Sequence, residues 1–203
     1  MTPHARSPEF LSPYTFQNGL TLRNRTLLAP MTNGQSNDDG TLGADEFAWL
    51  ESRARGGFGG IVSCAAHVVG NAQAWQGQLG VFSDDHVEGL AQLAGALRRE
   101  GCASFAQLFH GGVRSPSRLN SDRQPVSASA YTLAVPNFEV PRALEDSEIQ
   151  EIVEAFAQAA RRCWKAGFSG VEIHGANGYL VTQFLSTQSN LRTDDWGGSL
   201  ENR

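Results

Sequence analysis

Four short apolar runs alternate along this chain with three stretches of helical period, and that order restricts the fold more than any other feature. The runs are Asn24 to Pro30, Gly59 to Cys64, Ser104 to Phe109 and Val171 to Ile173. Between the first two, Ala44 to Arg55 carries Phe47, Leu50 and Ala54 on one stripe, and Gly56-Gly57 stops it. Ser83 caps the next helix, in which Val87, Leu90, Leu93, Ala94 and Leu97 keep a helical period up to Gly101. Ser147 with Gln150 makes a capping-box start for the third, whose buried face is Ile149, Ile152, Val153, Phe156, Ala160 and Cys163, with Gly167 at its end. Alternation of this kind demands a parallel sheet, either doubly wound or closed as a (β/α) barrel.

The polar residues separate the two. Each run releases polar groups at its C-terminal end: Thr32 after the first, Ala65 to His67 after the second, Gln107 to His110 at the third, and His174 to Tyr179 after the fourth. Several strands feeding one mouth is the barrel pattern. A dinucleotide-binding sheet wants a Gly-rich turn after its first strand, and TNGQSNDDG lacks the GxGxxG spacing. Ahead of the barrel, Tyr14-Thr15-Phe16 and Leu20-Thr21-Leu22 flank Gln17-Asn18-Gly19, an Asn-Gly hairpin signal. Residues 1–13, rich in Pro and Ser, form a lead-in, leaving 14–203 as one unit. Ala65 to Phe82 reads as a loop. So does His110 to Glu145, which carries Pro116, Pro125, Pro136 and Pro141 and has the length of a lid or binding flap.

The chemistry concentrates in Gly170 to Arg203, where Val171-Glu172-Ile173 runs into His174, Asn177 and Tyr179. If Gly175 to Phe184 winds into helical turns, His174 and Asn177 share a face and both donate to one acceptor. Phenols ionise near pH ~10, so a tyrosine beside that pair can give a proton without first being charged. Two donors holding an oxygen, with an acid next to them, suit a reaction that builds negative charge on a carbonyl and protonates the neighbouring carbon. Sixteen Lys plus Arg against twenty-one Asp plus Glu give a net charge of -5, without a basic run, which argues against nucleic acid. The N-terminus lacks the apolar core of a secretory signal, and no apolar stretch is long enough to span a bilayer, so the expected location is cytoplasmic, without a membrane partner. Cys64, Cys102 and Cys163 are odd in number and far apart, which speaks against a disulfide framework and a zinc site and for buried thiols, with Cys64 left open because it ends a strand.

His174-Gly-Ala-Asn177-Gly-Tyr179-Leu-x-x-Gln183-Phe184-Leu-Ser186, followed by Asn190-x-Arg192-x-Asp194-x-Trp196-Gly197-Gly198-Ser199-x-Glu201-Asn202-Arg203, resembles the Old Yellow Enzyme family of FMN-dependent ene-reductases. So do Ala29-Pro30-Met31-Thr32 after the first strand and Gln107-Leu108-x-His110 at the third. The resemblance runs from about Phe10 to the last residue. It implies a (β/α)8 TIM barrel capped by the Asn18-Gly19 hairpin, with FMN at the C-terminal mouth and NAD(P)H as co-substrate. Ala29, Pro30, Met31 and Thr32 match the loop along the isoalloxazine, Thr32 tuning the flavin through the carbonyl next to N5. Ala65 matches a backbone contact to the flavin, and Gln107 the side chain at its pyrimidine edge. His174 and Asn177 then hold the substrate carbonyl and Tyr179 is the proton donor, in a ping-pong reduction of an activated alkene.

Around this set, His110 and His67 read as loop support or bystanders, and Trp75 as mouth lining or packing. Arg192, Asp194, Glu201 and Arg203 read as an ion-pair and turn network bracing the last loop. One departure is local: the family's arginine three positions past the histidine is Val113 here, with Arg114 one later. The other is length. About four βα units are present, a half barrel with two parallel edges open to pairing. The expectations are therefore an ene-reductase seen as its N-terminal half, with a complementing C-terminal half or a homo-oligomer, or a non-catalytic half barrel that works by self-association or through a partner chain. A related flavin barrel acting on dienoyl thioesters or amines is a third reading.

Overall fold

The computed structural model describes residues 8–132 and 138–203; residues 1–7 of the lead-in, and Pro136 in the long loop, lie outside the described residues. The hairpin forms as expected, β1 (Tyr14–Thr15) pairing antiparallel with β2 (Thr21–Leu22). Gly19 takes φ +88°, the left-handed backbone that an Asn-Gly turn needs. The chain continues through β3 (Leu27–Leu28), α1 (Ala44–Arg55), β4 (Gly60–His67), α2 (Val87–Arg99) and β5 (Ala103–Phe109). It ends with β6 (Val126–Ser127), β7 (Arg142–Ala143), α3 (Asp146–Lys165), β8 (Gly170–Ile173) and α4 (Leu180–Leu185).

The central sheet has the order β3-β4-β5-β8 and is parallel throughout. Each strand is followed by a helix, and α1, α2 and α3 bury Leu50, Ala54, Leu90, Leu93, Leu97, Ala159 and Cys163 in one core with Ile61 and Leu108 of the strands. This is the expected (β/α) architecture of TIM-barrel type, and it carries all four strand ends to one side.

Several boundaries differ from the sequence reading. β4 continues through His67, so Ala65 to His67 belong to the strand and not to the loop after it. All eight of its residues are buried between two strand neighbours, with a register shift between Val62 and Ala65. A 3-10 turn, Asp84–His86, precedes α2, and the Ser83 cap is closed by the His86 ring, which accepts from the Ser83 N–H at 3.1 Å. α3 starts on Glu145 as its cap, with Glu148 closing the box in place of the Ser147 and Gln150 pair. Glu148 is held there because Arg142 forks onto both its oxygens, while Gln150 donates to Asp146.

The outer strands also depart from expectation. Only Leu27–Leu28 of Asn24 to Pro30 is strand, and Leu27 is half exposed. In β8, Val171 and Ile173 are exposed, as is Val153 of α3, which the helical period assigns to a buried face. The reason is topological. Among the described residues β3 and β8 each have one strand neighbour, so apolar side chains patterned for two-sided burial stand open at the ends of the sheet.

Candidate active site

The C-terminal ends of the four parallel strands meet at one cleft of about 540 Å³. Pro30, Met31 and Thr32 enter it after β3, Ala65 from β4, Gln107 from β5, and Glu172 to Asn177 and Tyr179 from β8 and the turn after it, with Trp75 on the rim. Of the residues expected to act, Thr32, Ala65, Gln107, His174, Asn177 and Tyr179 are thus gathered around one space. Ala29 is exposed and lies one residue before the lining.

The turn that presents His174, Asn177 and Tyr179 is not helical, contrary to the sequence expectation. Asn177 and Gly178 both take left-handed backbone, φ +57° and +73°, and α4 begins only at Leu180 with Tyr179 as its cap. Asparagine tolerates that region and glycine is indifferent to it, so two consecutive residues can reverse the chain in place of a helical turn. The His174 backbone N–H extends the sheet by donating to the Leu108 carbonyl at 3.0 Å. Its ring Nδ1 accepts from the Ala176 N–H at 3.3 Å, so in the neutral ring the proton is on Nε2. Partial burial lowers the His174 pKa, opposed in part by the neighbouring Glu172 charge.

Phe109, wholly buried at the end of β5, is the common wall. Tyr179 stands edge-on to it at 4.4 Å between ring centres, Trp75 at 5.4 Å and His174 at 5.7 Å, and the His174 and Tyr179 rings are 4.8 Å apart. Three aromatic contacts on one buried ring fix orientations that hydrogen bonds to backbone leave free. Trp75 therefore both packs and lines the cleft.

Beneath Tyr179 sits Gln183, buried, whose amide donates to the Gly178 carbonyl at 2.7 Å and the Gly111 carbonyl at 3.3 Å and accepts from the Val113 N–H at 3.2 Å. Gly112 runs against this amide with φ +62°, and a Cβ there would lie 2.3 Å from Gln183 Oε1. Val113 is buried, whereas Arg114 places its guanidinium 5.7 Å from the Tyr179 ring centre and 5.1 Å from that of Phe138. The one-residue offset from the family pattern thus puts a cation over the expected proton donor.

Two residues carry a reading that sequence reasoning missed or left open. Glu172 lines the cleft and accepts from Gln107 Nε2 at 2.6 Å. A charged residue inside an apolar run was the signal for it, hidden by reading Val171-Glu172-Ile173 as a strand segment only. Cys64 lies inside β4 against Glu46, away from the cleft, and burial raises its thiol pKa. Cys102 and Cys163 are likewise buried free thiols, their pKa values pushed up to about 11 and about 12.

His67 and His110 are buried and turned away from the cleft. His67 Nδ1 donates to the Val69 carbonyl at 2.8 Å, and His110 Nδ1 accepts from the Gly112 N–H at 3.0 Å. Burial lowers their pKa values to about 4 and about 3. The folded rings stay neutral while an unfolded chain protonates them below a reference pKa of ~6.5, so the stability they confer is complete above that pH and is lost as pH falls towards about 4. The slope from each ring grows as pH falls below the reference value and approaches one proton, on the order of 1 kcal/mol per pH unit. Buried Glu46, with a raised pKa, acts in the opposite sense, but as one group against two. Urea midpoints are therefore expected to fall steadily from pH 7 to pH 5, and a flat profile contradicts the neutral assignment.

The last loop is braced largely as the sequence suggests. Arg192 pairs with Asp194 at 2.6 Å and donates to the Ala128 and Leu144 carbonyls. Asn190 donates to the Phe184 and Trp196 carbonyls. Glu201 and Arg203 do not join as an ion pair among the described residues; Arg203 donates instead to the Ser199 and Leu185 carbonyls.

Comparison with known proteins gives a consistent result. The family model described as "NADH:flavin oxidoreductase / NADH oxidase family" matches residues 9–203. A probable NADH-dependent flavin oxidoreductase of Bacillus subtilis (strain 168) is 41% identical over 191 residues, 94% of this chain and 50% of that protein. Among solved structures, an old yellow enzyme homologue from Zymomonas mobilis superposes with a TM-score of 0.86 at 34% identity, over 96% of this chain and 56% of that one. Morphinone reductase in complex with tetrahydroNAD gives 0.87 at 32%, over 97% and 57%. The chain thus spans about half the length of these relatives.

Proposed function

The chain belongs to the NADH:flavin oxidoreductase / NADH oxidase family, the Old Yellow Enzyme group, and from that premise we propose that its cleft takes FMN by the ring end and reduces an activated alkene of enone or enal type with NAD(P)H as electron donor. The observation that carries this reading is the convergence of Thr32, Gln107, His174, Asn177 and Tyr179, from separate strand ends, on one cleft. The donor set fits a flavin ring: Gln107 offers an amide donor and acceptor, Thr32 a hydroxyl, and Ala65, Gly175 and Ala176 leave the walls low. Among the described residues the cleft lining offers polar and small side chains suited to the ring.

FMN, when bound, would supply the two-electron chemistry that links NAD(P)H oxidation to alkene reduction. Pro30, Met31 and Thr32 would line one side of the ring and Gln107 would hold its pyrimidine edge. His174, through Nε2–H, and Asn177, through its amide, donate to the substrate carbonyl oxygen. Two preorganised donors stabilise the developing enolate by roughly 3 kcal/mol each. Tyr179 then gives its hydroxyl proton to the α carbon, neutralising the enolate, and the phenolate left behind regains a proton from solvent.

Residues 14–203 correspond in this reading to the N-terminal half of a flavin barrel. A complementing second half, or a second copy of the chain, covers the outer strands where Leu27 and Ile173 stand open. The test is direct: the purified chain is expected to be yellow and to bind one FMN. If it binds none, as isolated or after reconstitution, the reading fails for this chain.

A further inference from the structure

Gln107 and Glu172 face each other in register across β5 and β8, so the sheet itself sets their pairing. Gln107 Nε2 donates to Glu172 Oε1 at 2.6 Å, and both side chains line the cleft. An amide alone can turn over and exchange its oxygen for its nitrogen. A carboxylate only accepts, so the flipped amide would set Oε1 against a negative oxygen. The neighbour therefore fixes which way the amide stands. What remains for the cleft is one acceptor, Oε1, beside the second N–H of Nε2. That pattern complements a ring edge carrying an N–H next to a C=O.

We propose that Glu172 is a positioning residue that locks the Gln107 amide, so that the cleft reads an imide edge and selects a flavin whose N3 carries its hydrogen. The inference rests on the proposed flavin function and deepens it: it assigns the selectivity of the ring pocket to a residue that need not touch the flavin. Glu172 is exposed in the cleft and pairs with one partner among the hydrogen bonds of the described residues, so its replacement leaves the core intact.

The experiment titrates FMN and N3-methyl-FMN into the unmodified chain and into Glu172→Gln and Glu172→Asp, following flavin fluorescence. The unmodified chain is expected to prefer FMN about tenfold, the equivalent of one net hydrogen bond. Glu172→Gln, whose amide accepts Gln107 in either orientation, is expected to shrink that preference to roughly threefold or less. Glu172→Asp keeps an acceptor-only group and is expected to restore part of it. A merely structural role would weaken both flavins alike and leave their ratio unchanged. An unchanged ratio in Glu172→Gln, or no preference in the unmodified chain, overturns this inference while the flavin function stands. Failure of the unmodified chain to bind either flavin overturns both.

Discussion

Tyr179→Phe is expected to slow alkene turnover by about 10²- to 10⁴-fold, the range over which a positioned general acid contributes, and to leave reduction of bound flavin by NAD(P)H nearly unchanged. The asymmetry follows from geometry. The phenylalanine ring keeps the edge contacts to Phe109 and His174, so the wall of the cleft survives, and only the hydroxyl proposed to give the α-carbon proton is lost. In the proposed mechanism, donors on His174 and Asn177 still hold the carbonyl, and electron transfer into the cofactor needs none of the three. Stopped-flow measurement of the two half-reactions separates these effects. Loss of both rates together would contradict the proton-donor role and point to a collapsed site.

Gln183→Leu is expected to destabilise the fold by about 3–9 kcal/mol, from three backbone groups stripped of a partner at roughly 1–3 kcal/mol each. Leucine fills similar space but offers nothing to the carbonyls of Gly178 and Gly111 or to the Val113 N–H, all now bonded to the amide. Because Gly178 adjoins Tyr179, the same variant is expected to lower alkene turnover in whatever fraction folds. Chemical denaturation gives the stability change, and a loss below about 1 kcal/mol would mean that water or a neighbouring amide replaces the lost bonds.

The contrast between these two residues marks what the sequence can convey. Tyr179 was legible because its chemistry is carried by residue type and by its place after an apolar strand. Gln183 appears in the same stretch as one polar residue among others, because nothing local records that its amide closes a loop 72 residues upstream. The strand and helix order was legible for the same reason as Tyr179: period and punctuation are local. The extent of β4 was not, since Ala65 to His67 are held in the strand by the neighbouring β5. Asn177 misled the helical argument, as three-residue spacing says nothing about whether the intervening backbone is right- or left-handed. The pairing of Glu172 with Gln107 needed the strand register, which no single strand contains.

Phe109 touches Trp75, His174 and Tyr179 at once. Phe109 is wholly buried, and close-packed interiors transmit strain, so a displacement of any one of the three is felt by the others. The energetic contributions of Trp75, His174 and Tyr179 are therefore not separable quantities: pairs of substitutions among them are expected to be coupled, and their effects not to sum. The cleft varies as a single unit whose common origin is the side chain at the end of β5.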